Sequence, residues 1–242
     1  MKSADHICLL LTGGTGFFGR ALLRYLLTLH DSKESRAKIS VFVLSRNPSR
    51  FLAHYPIFAR QSWLSFCTGD ISDPNSFPSD VNFTHILHAA ADSTLAPSLL
   101  PLTQFAQIVD GTRNILDFAV KHRVKRLLFT SSGAVYGPQP ADLIAIDEEW
   151  SGSPHLFDTA NTYGLAKRAA EHLCTLYSDA YGIETVVARC FSFVGRDLAL
   201  DAHFAIGNFI RDALAGKKIT VSGDGRPERS YLYPSDLIVW LL

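Results

Sequence analysis

The sequence predicts an α/β fold: a doubly wound parallel sheet followed by a partial lobe at the C-terminal end. Three observations predict it. Short apolar or β-branched runs alternate with longer amphipathic stretches; the runs are apolar throughout, as in strands covered on both faces; and a glycine-rich turn joins the first run to the first amphipathic stretch.

HICLLLT is the first strand. It leads directly into TGGTG and not into a small-residue cleavage site, so the N-terminal apolar run reads as structure rather than as a targeting signal. A helix runs from Phe17 towards His30, followed by strands KISVFVLS, WLSFCTG and THILHAAA. A second helix spans Leu102 to His122, and VKRLLFTSS is the fifth strand. The next helix extends from about Thr162 to Tyr181, then come the strand IETVVARCF, a helix around Phe204 to Leu214 and a closing strand KKITVSG. Pro, Gly, Asp and Ser concentrate in SRNPSRFLAHYP, SDPNSFPSDVN and GPQPADLIAIDEEWSGSPHLFD, which predicts loops. YPSDLIVWLL opens as a capped helix but stops after about two turns, with neither a glycine nor a basic last turn, which predicts a lobe cut short.

Composition narrows the function. Hydrophobic residues make up 47% of the 242, enough for a buried core. Lys plus Arg equals Asp plus Glu at 23 each, so no overall field favours nucleic acid or an anionic membrane. No apolar run reaches the roughly 20 residues that span a bilayer. Cys8, Cys67, Cys174 and Cys190 have neither CxxC nor metal-ligand spacing, and the nine histidines form no HExxH, so free thiols in a reducing cytoplasm and no metal are expected.

In LLLTGGTGFFGRALLRYLL, Gly13, Gly16 and Gly19 stand after the first strand and at the opening of a helix. Glycines there allow a tight turn and close backbone approach, and a helix N-terminus offers free N–H groups to a pyrophosphate. A dinucleotide would sit against Gly13, Gly16, Phe17, Phe18 and Gly19. At the end of the second strand, where a carboxylate would read the ribose of NAD, stand Ser45 and Arg46; a guanidinium there favours the 2′-phosphate of NADP over NAD, and a solvated arginine is the plainer alternative. Asp70, followed by Ile71, would accept from the adenine amino group or cap a turn. Ala89, Ala90 and Ala91, after His88, let a flat cofactor approach the fourth strand.

NTYGLAKRAAE places Tyr163 and Lys167 four residues apart on one helical face. An isolated tyrosine, with a pKa near 10, is a poor base at neutral pH. A neighbouring ammonium and a positive nicotinamide ring would both favour its phenolate, and a hydroxyl of TSSGAVYG, Ser132, could hold the substrate oxygen.

The order of these motifs (glycine turn, GDI, HAAA, SSGAVYG, YGLAK) resembles the extended short-chain dehydrogenase/reductase family, nearest its nucleotide-sugar epimerases, dehydratases and reductases. The resemblance implies a Rossmann-type domain over residues 1–189 and the start of a substrate-binding lobe over 190–242. It also implies catalytic Ser132, Tyr163 and Lys167, with Lys167 holding ribose hydroxyls, a nucleotide-diphosphate sugar as substrate, and a homodimer paired through two helices per subunit. Arg229 matches the family arginine on the substrate diphosphate. Ser192 stands for a frequent Asn, Ile108 for another Asn and Ser230 for an Asp. Gly133 and Ala134 occupy the places of the acidic pair of the dehydratases, so epimerisation or carbonyl reduction is expected over dehydration. His203 reads as a surface residue or a substrate contact, and Asp147, Glu148 and Glu149 as a solvated loop or a hydroxyl contact. Two other readings remain open: a reductase of an apolar ketone or acyl thioester, and a non-catalytic dinucleotide-binding protein.

Overall fold

The structure, a computed structural model, describes residues 6–32, 38–91, 99–202, 204–221, 223–226 and 228–242. His203 therefore lies outside the described residues. Six parallel strands form one sheet: β1 (Ile7–Thr12), β2 (Ile39–Ser45), β3 (Leu64–Thr68), β4 (His85–His88), β5 (Arg126–Ser132) and β6 (Glu184–Cys190), in the order β3-β2-β1-β4-β5-β6. The chain moves outward from β1 to β3 and then crosses back to lay β4 on the other side of β1, pairing Thr12 with His88. Diverging loops at such a reversal open a crevice beyond the strand ends.

Helices cover both faces. On one side α3 (Pro101–Lys121) and α4 (Thr162–Tyr181) pack over Leu10, Ile86, Leu127 and Phe129. On the other, α1 (Phe17–Asp31), α2 (Pro48–His54) and the terminal α6 (Pro234–Leu241) pack over Leu9, Leu11, Val41 and Val43. The strands are uniformly apolar because both faces are buried, and each fully buried Leu contributes ~1.5–3 kcal/mol. The described residues contain no helix long and apolar enough to cross a membrane.

Two expectations are corrected. The stretch SRNPSRFLAHYP is not all loop: the Asn47 side chain accepts from Arg50 N–H at 2.9 Å, Pro48 opens the helix and buried Phe51 anchors it, making α2. KKITVSG forms no strand in its described residues; Ile219 and Val221 are 46% and 56% exposed, with no neighbouring strand to pair them. A small parallel pair, β7 (Ser192–Phe193) with β8 (Tyr231–Leu232), forms instead, with α5 (Ala205–Leu214) between them in the chain. After β6 the chain returns α6 to α1, burying Leu237, Ile238 and Leu241.

Candidate active site

The glycine turn lies at the strand-order reversal. Gly13 has φ +71°, and a Cβ there would come 2.4 Å from the carbonyl oxygen of Ala89, so only glycine lets the turn lie against the end of β4. Gly16 begins α1, whose first turn has neither a side-chain cap nor an acidic residue, leaving N–H groups and positive potential for an anion.

A crevice of about 630 Å³ opens over this corner. Gly13, Gly16 and Phe17 form its floor, and Ala89, Ala90 and Ala91 form one wall. Ser45 and Arg46 from β2, with Asp70 and Ile71 after β3, close one end; Tyr163 is on its border too. Three expected members stand elsewhere, among them Lys167, which is buried against the Thr130 carbonyl. The Phe18 ring packs edge-on against Phe193 at 4.8 Å, and Gly19 packs α1 onto the turn, where a Cβ would meet Gly14 at 2.2 Å. Asp70 caps its own turn, accepting from Ser72 N–H at 2.9 Å, and still borders the crevice.

The sequence reading missed Arg20, Arg50, His54 and Tyr55, which also line the crevice. Arg20 donates to the Tyr55 hydroxyl at 2.8 Å, and Arg20 and Arg24 both reach Asp197, fixing α1 to the segment after β7. The available signal was modest: Arg20 lies one helical turn after Gly16, and Arg50 in the first turn of a helix read as a loop.

Ser132, Tyr163 and Lys167 come together at the other side. The Ser132 hydroxyl is close enough to the Tyr163 phenol to lower its pKa, and it accepts from Ala134 N–H at 3.2 Å; burial is the larger influence on the phenol and holds it above its ordinary 10. Lys167 is only 2% exposed, and its Nζ donates to the Thr130 carbonyl at 2.8 Å. The ammonium stands 4.5 Å from the centroid of Phe129 and 6.0 Å from that of Tyr163. In the protein by itself desolvation is the leading influence on the phenol, and the Lys167 ammonium, while donating to the Thr130 carbonyl, keeps its charge nearby.

Burial also brings Lys167 down to about 8, against opposing effects of Cys190, Cys174 and Glu171. A lysine whose folded pKa lies below its unfolded value of 10.5 burdens the fold while charged, by about 3 kcal/mol at ~1.4 kcal/mol per unit, and the burden fades as pH rises through about 8 towards 10.5. Lys167→Met is therefore expected to be more stable than the wild type at neutral pH, by an advantage that shrinks at pH ~10. Denaturant unfolding of both proteins at the two pH values measures it. The Cys174 and Cys190 thiols, raised by burial, are coupled to Lys167, so the comparison reads the lysine together with its effect on them.

Ser192 and Arg229 are not brought to this crevice. Ser192 lines a separate cavity of about 1200 Å³ along the free side of β6, with Tyr136, Glu148, Arg189 and Phe191. Arg229 is exposed, its guanidinium donating to the Glu228 carbonyl at 2.7 Å. Asp147 caps its own turn through Glu149 N–H, and the Glu148 carbonyl accepts from Arg189 at 2.6 Å. Gly133 lies directly beneath the 63% exposed ring of Phe191, which a Cβ would approach to 2.5 Å. Among the described residues no group of three or more His, Cys, Asp or Glu could hold a metal.

A six-stranded parallel sheet with a glycine-cornered crevice at its strand-order reversal is a protein of the Rossmann class. More narrowly, the chain belongs to the NAD dependent epimerase/dehydratase family, whose sequence model matches residues 9–242. It is 29% identical over 241 residues to UDP-glucuronic acid decarboxylase 1 of Xenopus tropicalis, covering 98% of this chain and 53% of that protein. To UDP-glucuronic acid decarboxylase 3 of Arabidopsis thaliana it is 30% identical over 241 residues, covering 97% and 65%. Among solved structures, a dTDP-glucose 4,6-dehydratase from Streptomyces venezuelae with NAD bound superposes with a TM-score of 0.80 at 26% identity, covering 97% of this chain and 70% of that one. The chain thus spans between about half and two thirds of the length of these curated relatives.

Proposed function

We propose that the chain binds a nicotinamide dinucleotide in the glycine-cornered crevice and acts on a nucleotide-diphosphate sugar, by epimerisation or reduction at a sugar carbon. The observation that carries this reading is the Tyr163 phenol on the border of the crevice, with the Ser132 hydroxyl beside it and the buried Lys167 ammonium 6.0 Å from its ring centroid. The residues present fit the cofactor. The close approach of Gly13 to Ala89 leaves a side-chain-free corner, and the uncapped start of α1 suits a pyrophosphate.

When bound, the dinucleotide supplies the hydride chemistry. Tyr163 removes or delivers the proton of the sugar hydroxyl, and Ser132 holds that oxygen as it changes from alcohol to carbonyl. Positive charge at a nicotinamide would oppose the burial that holds the phenol protonated, so the proton is released when it can be used. Lys167, fixed on Thr130, keeps a cation beside the ring throughout. Gly133 and Ala134 offer no side-chain acid or base, which supports epimerisation or reduction over water elimination. The names of the relatives add decarboxylation of a sugar acid as a second reading, served by the same proton-transfer group. Ser192 and Arg229 have no part in the hydride step on this reading. The segment 190–242 contributes the start of a substrate lobe, and two copies pair through α3 and α4, which expose Phe105 and Leu176; sedimentation of wild type against Leu176→Lys tests the pairing.

Which dinucleotide binds turns on Arg46. The 2′-phosphate expectation rests on Arg46, joined by Arg50 on the same side of the crevice, whereas the related dehydratase was solved with NAD. Calorimetry with each dinucleotide decides it. If NADP is preferred through Arg46, Arg46→Asp should reverse the preference by about tenfold or more, the size of one charge-assisted contact. Retention of NAD by the purified wild type would remove the argument. Titration with UDP, dTDP, GDP and CDP, followed by a screen of the corresponding sugars, tests the substrate class; silence from all four nucleotides would reject it.

A further inference from the structure

His88 ends β4, is 1% exposed, and touches neither the crevice nor solvent. Its Nδ1 lies 2.7 Å from Thr12 Oγ1 at the end of β1, and its Nε2 lies 3.2 Å from Thr112 Oγ1 on α3. A threonine hydroxyl has one proton to give. Thr112 gives its own to the Ile108 carbonyl at 2.6 Å, so it must accept from Nε2–H. A neutral ring then presents Nδ1 as an acceptor, and Thr12 donates to it. Thr12 Oγ1 in turn accepts from Ala90 N–H at 3.3 Å.

The donors therefore run in one direction: Ala90 N–H to Thr12, Thr12 to His88, His88 to Thr112, Thr112 to Ile108. A ring protonated on both nitrogens would leave the Thr12 proton without this acceptor. Desolvation and the nearby Lys167 ammonium also resist a second charge, bringing His88 down to about 3. Both ends of the chain matter to the crevice. Ala90 is in the wall that faces Gly13, and Ile108 lines the crevice from α3.

We propose that His88 is a positioning residue for the dinucleotide: through a single Nε2–H tautomer it ties the Thr12–Ala90 corner to α3 and holds the alanine wall at the separation from Gly13 that the cofactor needs. This rests on the dinucleotide reading above. The role reaches the cofactor only through backbone, so its signature is affinity with little dependence on the base chemistry of Tyr163.

The test combines two measurements. Nitrogen NMR of imidazole-labelled wild type, without ligand, should show one Nε2–H and one bare Nδ1 for His88, unchanged between about pH 5 and 8; the opposite tautomer, or titration in that range, overturns the proposal. Calorimetry with NAD and NADP then compares wild type with Thr112→Val, which keeps the shape and removes the hydroxyl that accepts from His88 and donates to Ile108, and with His88→Ala and His88→Gln. Thr112→Val and His88→Ala should weaken the preferred dinucleotide by about tenfold, and His88→Gln, which restores an amide donor, should recover part of the loss. If His88→Ala does not fold, Thr112→Val decides. Variants that melt lower yet bind like wild type when folded overturn the inference alone. A wild type that binds neither dinucleotide overturns the functional reading and this inference with it.

Discussion

Tyr163→Phe is expected to lower turnover of the cognate activated sugar by about 10²–10⁴-fold, the range over which a positioned acid or base accelerates proton transfer. Dinucleotide affinity should stay within about twofold, because the phenol is one border group of a crevice lined chiefly from α1, α2, α3 and the loops that follow β1 to β4. The ring remains in place on α4, and only the oxygen that meets Ser132 is removed. Ser132→Ala should be milder, since it removes the hydroxyl that holds the sugar oxygen and leaves the phenol itself. Steady-state kinetics with calorimetry on the same preparations checks both; a Tyr163→Phe protein retaining wild-type turnover would end the enzymatic reading. Because the phenol is held above 10 by burial in the free protein, the rise in activity with pH should appear only with oxidised dinucleotide bound, and at a pH below the phenol's own.

Gly13→Val is expected to abolish dinucleotide binding and to lower the thermal midpoint by about 2–12 °C. A β-branched residue forced to φ +71° carries about 1–3 kcal/mol of backbone strain, and ~1 kcal/mol shifts the midpoint of a domain of this size by about 2–4 °C. The added Cβ also meets backbone rather than the end of a flexible side chain: the Ala89 carbonyl at 2.4 Å and the Ala90 nitrogen at 2.8 Å. Relief requires the alanine wall to move away from β1, against the Thr12 hydroxyl that receives Ala90 N–H. Calorimetric unfolding and titration with NAD and NADP measure the two effects. A Gly13→Val protein that binds as the wild type does would show that the corner is not where the dinucleotide lies.

The parts of the fold that could be read from sequence are those governed by local chemistry. Helix α4 runs from Thr162 to Tyr181 as its periodicity predicted, and Gly182, at φ +70°, ends it in the left-handed conformation that glycine favours. The first strand, glycine turn and α1 were legible for the same reason. The α2 helix was hidden because it is short and buries one side chain, and its Asn47 cap lies in a stretch rich in Pro, Ser and Arg that also spells a loop. KKITVSG has the alternation of a strand, but a strand exists only when another pairs with it, and that is a tertiary fact.

The site shows the same division. Tyr163 and Lys167 could be placed on one helical face from their spacing, yet where the ammonium donates was decided by Thr130, whose carbonyl a buried cation cannot ignore. Arg20 and Tyr55 converge from different helices. The bonding of His88 depends on Thr12 and Thr112, 76 and 24 residues away in sequence, so no spacing rule could have exposed it. Ser192 and Arg229 were assigned by motif alignment alone, and the structure leaves them outside the crevice because the chain after β6 turns back to pack α6 on α1.

Phe191 resting on Gly133 has a consequence for how such a chain could change its chemistry. An acidic side chain introduced at 133 would strike the aromatic ring before it reached any sugar. Any side chain at 133 therefore has to displace the Phe191 ring, which is exposed and can swing towards solvent. Position 133 is thus kept small by a movable side chain, whereas the corner at Gly13 is kept small by backbone.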